Sequence, residues 1–396
     1  MKLAFVVQRY GATIAGGSEA HCRLMAERLA TAHAITILTT CTADYVTWNN
    51  ELPAGEAVEG GVRVIRFPVA HPRRLSTFAD ISDEVFAGGA PAARQHEWFR
   101  ENGPDTPGIL EHLRAQGHEY DLVLFWTFRY APSYFGLPLV ADRAVLVPTA
   151  EEDPAIHLDV LQEYFRLPAG YLFLTPEEEA LVSQRAGTGL TPSATIGMGL
   201  SPASLAGSQA MLDAEGIPRN YVLYMGRVDR NKGCDTLLDY FESYLDGGGD
   251  ATLVLAGPIK LRVPSHPRIR ALGYVTDDMR DALIAHARVL IVPSPYESLS
   301  IVLLEGWNRA VPALVNARCK VLKGQVRRAN GGLHYRSPRE FAEALTYLLA
   351  NEEVRATLGR QGLAYVDQEY RWPTVMARTE ALLAAAAAAA RQRRAG

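Results

Sequence analysis

Short apolar runs alternate with helix-like segments along most of this 396-residue chain. In the first half, apolar runs predict strands at 3–7, 35–39, 62–67, 122–125, 144–147 and 172–174, and a helix is predicted from about 18 to 31. In the second half, strands are predicted at 221–225, 251–256, 268–272, 288–292 and 312–315, with helices at 234–245, 277–286 and 301–309. Strands that alternate with helices form parallel sheets through right-handed crossovers. The pattern therefore predicts an α/β protein with parallel sheets.

The chain is longer than one hydrophobic core usually organises, so two domains are expected. Residues 197–208 are rich in small side chains, and we interpret them as a hinge between an N-terminal domain at 1–200 and a C-terminal domain at 201–372. Seven consecutive alanines near the end of the chain favour a helix. That helix, at 373–396, is predicted to pack back on the first domain. Residues 76–110 are polar and contain glycine and proline, which predicts an irregular, mobile insertion.

Composition restricts the function only weakly. Hydrophobic residues make up 48% of the chain and charged residues 21%, as in ordinary globular proteins. The net charge of −4 gives no general attraction to nucleic acid, so no such partner is expected. The four cysteines show neither zinc spacing nor a disulfide framework. The first apolar stretch is too short for a signal peptide, and no run of about 18 apolar residues occurs. We therefore expect a reduced, cytoplasmic protein.

Two acidic residues, Glu297 and Glu305, flank a strand-to-helix junction. The helical pattern that begins near Ser300 carries Glu305 inward among apolar neighbours, and a buried carboxylate needs a partner. On one interpretation Glu305 accepts hydrogen bonds from ribose hydroxyls and Glu297 holds sugar hydroxyls. On the other, Glu297 is an exposed loop residue and Glu305 pairs with a basic neighbour such as Arg309.

Fixed cations follow another predicted strand, in Gly226-Arg227 and Lys232-Gly233. Arginine offers a planar fork for phosphate oxygens and lysine offers a point charge. Both would offset the charge that builds on a departing diphosphate. A solvated loop with ordinary surface cations explains this fragment equally well.

Backbone groups supply two further candidates for anion binding. The amides of Ser298, Leu299 and Ser300 open a predicted helix, and helix N-termini bind phosphate. The alternative is that Ser298 or Ser300 simply caps the helix. Gly16-Gly17 opens the first predicted helix, and glycine there lets the backbone approach a ligand closely. The alternative is that Gly16-Gly17 forms a plain turn. The glycine spacing lacks the GxGxxG fingerprint, so a dehydrogenase is disfavoured.

An acidic segment, Glu151-Glu152-Asp153, follows a strand at its carboxyl end, where open α/β sheets bind ligands. A carboxylate there would orient an acceptor hydroxyl or hold a metal, although nothing else in the sequence supports a metal. A solvated acidic loop is equally consistent. Side chains beyond a neighbouring strand would line the same region or belong to the core: Trp126, Arg129 and Tyr130.

Taken together, these segments resemble glycosyltransferase family 4, a large group of GT-B glycosyltransferases. The resemblance extends from Gly16 to Trp372, which matches a tryptophan that the family often has before its last helix. Its most specific parts are the 226–233 loop and the 297–305 segment, in the expected order and at the expected separation.

The resemblance implies two Rossmann-like domains with parallel sheets that face a central cleft. It also implies a retaining, metal-independent transfer from a nucleoside-diphosphate sugar, which is a co-substrate rather than a bound cofactor. The absence of a DxD motif is consistent with this. By position, Arg227 and Lys232 would bind the diphosphate, Glu305 the ribose and Glu297 the transferred sugar. The remaining positions implied for donor contact are Gly16, Gly17, Gly226, the backbone at Gly273-Tyr274-Val275, Ser298, Leu299 and Ser300.

Three departures from the family pattern bear on specificity. Residues 298–300 read Ser-Leu-Ser where many relatives have Gly-Phe-Gly, which narrows the sugar site. Residues 306–310 replace an Ala-Met-Ala…Gly stretch and imply a repacked helix. Residues 151–153 read Glu-Glu-Asp where many relatives place His-Asp-Glu, which changes the electrostatics near the acceptor.

These observations predict an enzyme of the hexosyltransferase type. It would move a sugar from a UDP- or GDP-sugar to a hydroxyl acceptor on a polysaccharide, glycolipid or metabolite. Two alternatives remain open: a GT-B sugar-nucleotide epimerase or hydrolase, and a catalytically inactive nucleotide-sugar-binding subunit. The basic segment at 71–74 is either ordinary solvated surface or a peripheral contact with acidic lipid headgroups at the inner face of a membrane.

Overall fold

The structure, a computed structural model, describes residues 1–14, 16–203 and 209–395. The chain divides into two compact units. Unit 1 comprises residues 1–196 together with 377 onward, and unit 2 comprises residues 197–376. The first unit thus ends at residue 196, where the sequence predicts a boundary at 200. Of the predicted hinge at 197–208, residues 204–208 lie outside the described residues.

Unit 1 alternates strands and helices. Its strands are β1 (Lys2–Val6), β2 (Ala34–Thr40), β3 (Gly55–Glu59), β4 (Val62–Phe67), β5 (Leu122–Trp126), β6 (Ala144–Val147), β7 (Gly170–Phe173) and β8 (Ser193–Thr195). Its helices before the final one are α1 (Gly17–Leu29), α2 (Leu75–Phe86), α3 (Ala92–Asn102), α4 (Pro107–Gln116), α5 (Ala131–Gly136), α6 (Leu161–Tyr164) and α7 (Pro176–Ala186).

In the described part of unit 1 these strands form an eight-stranded sheet in the order β3-β4-β2-β1-β5-β6-β7-β8. The pairings are parallel except that between β3 and β4, which is antiparallel. Apart from the exposed Lys2 at the start of β1, strands β1, β5 and β6 are apolar and buried, as expected when helices cover both faces of a parallel sheet.

Unit 2 repeats the alternation. Its strands are β9 (Tyr221–Met225), β10 (Thr252–Ala256), β11 (Ile269–Gly273), β12 (Val289–Val292), β13 (Ala313–Asn316) and β14 (Gly332–Tyr335). Its helices are α8 (Gln209–Ala214), α9 (Cys234–Asp246), α10 (Asp277–His286), α11 (Ile301–Trp307), α12 (Lys320–Ala329), α13 (Pro338–Ala350) and α14 (Glu352–Glu369). Within the described residues the strands form an all-parallel, six-stranded sheet in the order β11-β10-β9-β12-β13-β14.

The strands and helices that the sequence pattern predicts are present, with ends shifted by at most two residues. The prediction that residues 76–110 are irregular is wrong, because they form most of α2, all of α3 and the start of α4. Ile81 and Val85 lie one turn apart and are buried, and Phe99 stacks on Tyr134 at 3.6 Å between ring centroids. These short helices carry many exposed polar residues, and glycine and proline residues lie between them. The apolar periodicity of each helix is therefore difficult to recognise in the sequence.

The last helix, α15 (Trp372–Ala395), covers the alanine-rich tail, and its residues from Ala377 on belong to unit 1. A Cβ placed at Gly170 would stand 3.0 Å from the Ala386 methyl group, so small side chains on both sides allow the close approach. Glu380 accepts from the His33 ring at 2.9 Å. The predicted terminal helix therefore packs on unit 1. No helix in the described part of the chain is long and apolar enough to cross a membrane.

Candidate functional site

The candidate residues of unit 2 lie at the carboxyl edge of its sheet. β9 and β12 are hydrogen-bonded neighbours, with Leu223 opposite Leu290. From β9 the strand order runs through β10 to β11 on one side, whereas β12, β13 and β14 follow on the other. Open α/β sheets bind ligands in the crevice where the order reverses in this way. The loops that leave β9 and β12 flank that crevice.

The loop after β9 is held by its own polar groups. The Tyr224 hydroxyl donates to the Arg227 carbonyl at 2.5 Å. Asp229 accepts from the Lys232 amide at 2.8 Å and lies 3.3 Å from the Arg227 guanidinium. The side chains of Arg227 and Lys232 are 35% and 29% exposed. The loop therefore presents two oriented cations to a ligand.

The loops after β9 and β12 approach each other at Gly233. A Cβ there would stand 2.5 Å from the Pro293 carbonyl oxygen, and Gly233 has a left-handed φ of +71°. Asn316, at the end of β13, donates to the same carbonyl at 2.9 Å. Lys232 Nζ consequently reaches Glu297 Oε1 at 2.8 Å. The structure thus brings together two of the predicted site residues from different loops.

Glu297 is not the exposed loop residue of the alternative interpretation. Its side chain is 12% exposed, and Lys232 neutralises its charge. Its backbone amide lies against the Cys319 sulfur, and burial raises the pKa of that thiol to about 12. Glu297 is therefore held through its side chain by Lys232 and through its backbone by Cys319.

Ser300 occupies the N-cap position of α11 with a left-handed φ of +69°. Its hydroxyl makes no capping hydrogen bond, and its buried Oγ has no hydrogen-bond partner within the described residues. The interpretation of Ser300 as a simple cap is therefore wrong. The neighbouring Leu299 carbonyl accepts from the buried Gln325 amide, which holds the backbone of 298–300 in place. A strained, non-glycine residue of this kind is typical of functional sites.

Glu305 pairs with Arg280 on α10. The sequence suggested Arg309 as its basic neighbour, but the Arg309 side chain pairs instead with Asp281 at 2.7 Å. Burial lowers the pKa of Arg280, and the Glu305 carboxylate more than offsets this, so the pKa lies above its ordinary value. Arg280 lies on α10 and Glu305 on α11, so helical spacing within α11 could not reveal the pair.

Tyr274 and Val275 follow β11 and precede α10 at the same edge of the sheet. Gly273 has a left-handed φ of +71°, and the Tyr274 ring is 84% exposed. The exposed aromatic side chain of Tyr274 offers a flat apolar surface. It lies at the end of a strand, β11, that is separated from β9 by one strand.

In unit 1 the strand order reverses between β1 and β5. Gly16 and Gly17 lie after β1, at the start of α1, and both are exposed. The buried Glu19 accepts from the side chains of Gln8 and Arg9, each at 3.0 Å. A Cβ on Gly16 would overlap the Glu19 carboxylate, so a larger residue at position 16 would displace this side chain.

The acidic segment after β6 is tied to the loop after β5. Arg129 forms an ion pair with Asp153, and it also interacts electrostatically with Glu151. Burial lowers the pKa of Arg129, but these carboxylates raise it by more, so the guanidinium stays charged. Thr127 and Thr149, at the ends of the adjacent strands, have left-handed φ values of +61° and +47°. The structure therefore places Arg129 beside Glu151 and Asp153 on a strained part of the backbone.

Sequence analysis missed Glu178, which is fully buried behind this segment. Its carboxyl group accepts from the Ala150 amide at 2.7 Å and the Leu174 amide at 2.6 Å. Burial raises the pKa of Glu178 to about 8. The signal that could have found it is the capping-box pattern from Thr175 to Glu178, since the Thr175 hydroxyl accepts from the Glu178 amide.

The other candidates of unit 1 are internal contacts. Trp126 is buried and donates to His21 at 3.1 Å, and Tyr130 packs edge-on against Trp48. In the basic segment, Arg73 donates to the Asn102 carbonyl and Arg74 pairs with Glu101. Trp126 thus belongs to the core, and both arginines are engaged within the unit. Residues 1–14, 16–203 and 209–395 contain no cluster of three or more potential metal ligands.

Comparison with known proteins assigns a chemistry to the second unit. Residues 219–351 match the family described as Glycosyl transferases group 1. This range is therefore similar to glycosyltransferase domains. It contains the 226–233 loop, Glu297 and Glu305, and the predicted enzyme class, a transferase, is confirmed.

Similar proteins support this assignment. The chain is 22% identical to an uncharacterized glycosyltransferase of Methanocaldococcus jannaschii, over 96% of this chain and 97% of that protein. It is 28% identical to the GDP-mannose-dependent alpha-(1-6)-phosphatidylinositol dimannoside mannosyltransferase of Mycobacterium tuberculosis, over 33% of this chain and 36% of that protein. The solved structure of Anabaena HepE in complex with UDP-glucose superposes with a TM-score of 0.69 at 15% identity, covering 96% of this chain and 99% of HepE. The predicted GT-B fold of two Rossmann-like domains is confirmed.

The close approach at Gly233 predicts a specific loss of stability. Gly233→Ala and Gly273→Ala both force an alanine into a φ of +71°, which costs roughly 1–2 kcal/mol of unfolding free energy. Only the Gly233 variant also meets the Pro293 carbonyl, whereas no atom lies within 4 Å of a Cβ at Gly273. We expect Gly233→Ala to be the less stable variant by at least about 1 kcal/mol in urea unfolding. Equal losses would contradict the proposed contact.

The raised pKa of Glu178 predicts that the free energy of unfolding depends on pH. Its pKa rises from an ordinary 4.5 to about 8 on folding, so the folded state keeps a proton that the unfolded state loses between these values. This group contributes about 5 kcal/mol of stability, which is complete below about pH 4.5 and is lost as the pH rises to about 8. The difference in unfolding free energy between wild type and Glu178→Gln should therefore fall across this range in denaturant titrations. A difference that is constant with pH would contradict the assignment.

Proposed function

We propose that this chain is a retaining glycosyltransferase of family 4 that transfers a sugar from a nucleoside-diphosphate sugar to a hydroxyl acceptor. The observation that supports it most is the contact of Lys232 with Glu297 at the point where the strand order of unit 2 reverses. A cation for a phosphate and a carboxylate for sugar hydroxyls are adjacent there. Both residues lie within the range, 219–351, that matches the Glycosyl transferases group 1 family.

The donor is proposed to lie along the carboxyl edge of the unit 2 sheet. Arg227 and Lys232 would bind the diphosphate, Glu297 the hydroxyls of the transferred sugar, and Glu305 the ribose. Tyr274, exposed at the end of β11, would meet the nucleobase. The similarity to HepE, which was solved with UDP-glucose, and to a GDP-mannose-dependent enzyme supports a nucleotide-sugar donor without deciding the base.

In the proposed reaction, the bond between the anomeric carbon and the diphosphate oxygen breaks. The acceptor hydroxyl oxygen forms the new bond on the same face of the sugar, and its proton passes to the departing diphosphate. Arg227 and Lys232 stabilise the negative charge that develops on the leaving group. Because two protein cations offset this charge, the scheme requires no metal ion. The protein contributes mainly position and electrostatic stabilisation.

The acceptor is proposed to contact unit 1 near Glu151 and Glu152. Arg129 holds Asp153, so the segment that carries these carboxylates has a fixed position. A carboxylate accepts hydrogen bonds from hydroxyls, which favours a polyhydroxylated acceptor such as a glycan, a glycolipid headgroup or a sugar metabolite.

Removing a cation from the donor edge should slow the reaction. We expect Arg227→Ala and Lys232→Ala each to lower kcat/KM by roughly a hundredfold, the loss of about 3 kcal/mol of transition-state stabilisation. Arg360→Ala, which removes an exposed arginine of α14, serves as the control and should retain activity. Undiminished turnover in both test variants would contradict the assigned roles.

A donor screen should separate the proposed transferase from the other candidates. We expect at least one UDP-, GDP- or dTDP-sugar to raise the melting temperature, because a ligand that binds the folded state stabilises it by mass action. That donor should then be consumed only in the presence of an acceptor. Free sugar or an epimer formed from the donor alone would indicate a hydrolase or epimerase. Binding without turnover over a broad acceptor panel would indicate an inactive binding subunit.

A further inference from the structure

Glu305 belongs to a cluster of four charged side chains from α10, α11 and the residues just after α11. Arg280 pairs with Glu305 and lies 3.7 Å from Asp281. Asp281 pairs with Arg309 at 2.7 Å, and an Arg309 guanidinium nitrogen lies 3.5 Å from the backbone carbonyl oxygen of Glu305. Negative and positive side chains thus alternate along the cluster, which joins the first half of α10 to α11 and the segment that follows it.

The Glu305 carboxylate is held by the Arg280 guanidinium, which forms an ion pair with Oε1. The Glu305 side chain is 16% exposed and that of Arg280 is 32% exposed, so solvent or a ligand reaches this group. The two oxygens of a carboxylate offer about four lone pairs, so a carboxylate that is fixed by an arginine still accepts further hydrogen bonds in a defined direction.

An ion pair of this exposure contributes little to folding stability, commonly no more than about 1 kcal/mol. Its larger effect is on geometry, because a glutamate side chain alone samples several rotamers, whereas a bidentate or bridged arginine restricts them. The ion pair with Arg280 therefore limits where the Glu305 carboxylate can point.

We infer that Arg280 is a positioning residue of the donor site: it holds the Glu305 carboxylate where that group accepts a ribose hydroxyl, and Arg280 thereby contributes to the selection of ribonucleotide over deoxyribonucleotide donors. This inference rests on the proposed function, in which Glu305 meets the ribose. Arg280 acts through Glu305 and needs no contact with the nucleotide.

The test compares nucleotides that differ only in one hydroxyl. Binding of UDP, 2′-deoxy-UDP and 3′-deoxy-UDP, and of the corresponding guanosine diphosphates, is measured by calorimetry. We expect the wild type to bind the ribonucleotide roughly tenfold more tightly than one of its deoxy analogues, the value of one hydrogen bond to a charged group. The analogue that loses affinity identifies the hydroxyl that Glu305 holds.

The variants distinguish positioning from a purely structural role. Arg280→Met should reduce the ribose preference to within about twofold, as Glu305→Gln should, and Arg280→Lys should restore part of it. The melting temperature without ligand should change little in Arg280→Met, because the pair adds little stability. Arg360→Met, on the exposed surface of α14, is the matched control and should keep the full preference.

The outcomes separate the inference from the function on which it rests. If neither UDP nor GDP binds to the wild type, the proposed donor function is wrong. If a nucleoside diphosphate binds without ribose preference, or if Arg280→Met keeps that preference, the positioning role is wrong and the donor function stands. Preference lost in Glu305→Gln but not in Arg280→Met would assign the ribose contact to Glu305 alone and overturn the role of Arg280.

Discussion

The donor edge of unit 2 depends on the backbone approach between Gly233 and Pro293. Because no Cβ fits between them, the loops after β9 and β12 come close enough for Lys232 to reach Glu297 at 2.8 Å. Asn316 holds the Pro293 carbonyl from the third strand, β13. One close contact thus aligns the ends of three neighbouring strands, and the side chains proposed for phosphate and sugar follow from that alignment.

The corresponding edge of unit 1 is organised differently. Its polar groups are fixed by burial and strain: Glu178 ties the exit of β6 to that of β7 through two backbone amides, and Thr127 and Thr149 take left-handed conformations at the ends of adjacent strands. Such conformations persist only when the surrounding structure enforces them. The result is a fixed segment that carries Glu151 and Glu152, the two residues proposed to contact the acceptor.

Much of the candidate site could be predicted from the sequence, because strand ends and their following loops are local features. Arg227, Lys232 and Glu297 were identified in this way, and Lys232 and Glu297 are in contact. The ion pair of Glu305 could not be predicted, since helical spacing within α11 favours Arg309 and the actual partner, Arg280, comes from another helix. The role of Glu178 could be predicted only in part. Its capping-box pattern with Thr175 is local, whereas its hydrogen bond from the Ala150 amide joins distant parts of the chain.

By itself, the sequence determined the α/β class, the positions of most strands and the loops that carry cations and carboxylates. These depend on periodicity, turn residues and residue type, which act over a few positions. Tertiary structure alone decided which strands are neighbours, which charges pair, and that most of residues 75–116 form helices. Lys232 and Glu297 are 65 residues apart, and only the order β9-β12 in the sheet makes them neighbours. Pairing across such distances is set by packing and sheet order, which no local pattern encodes.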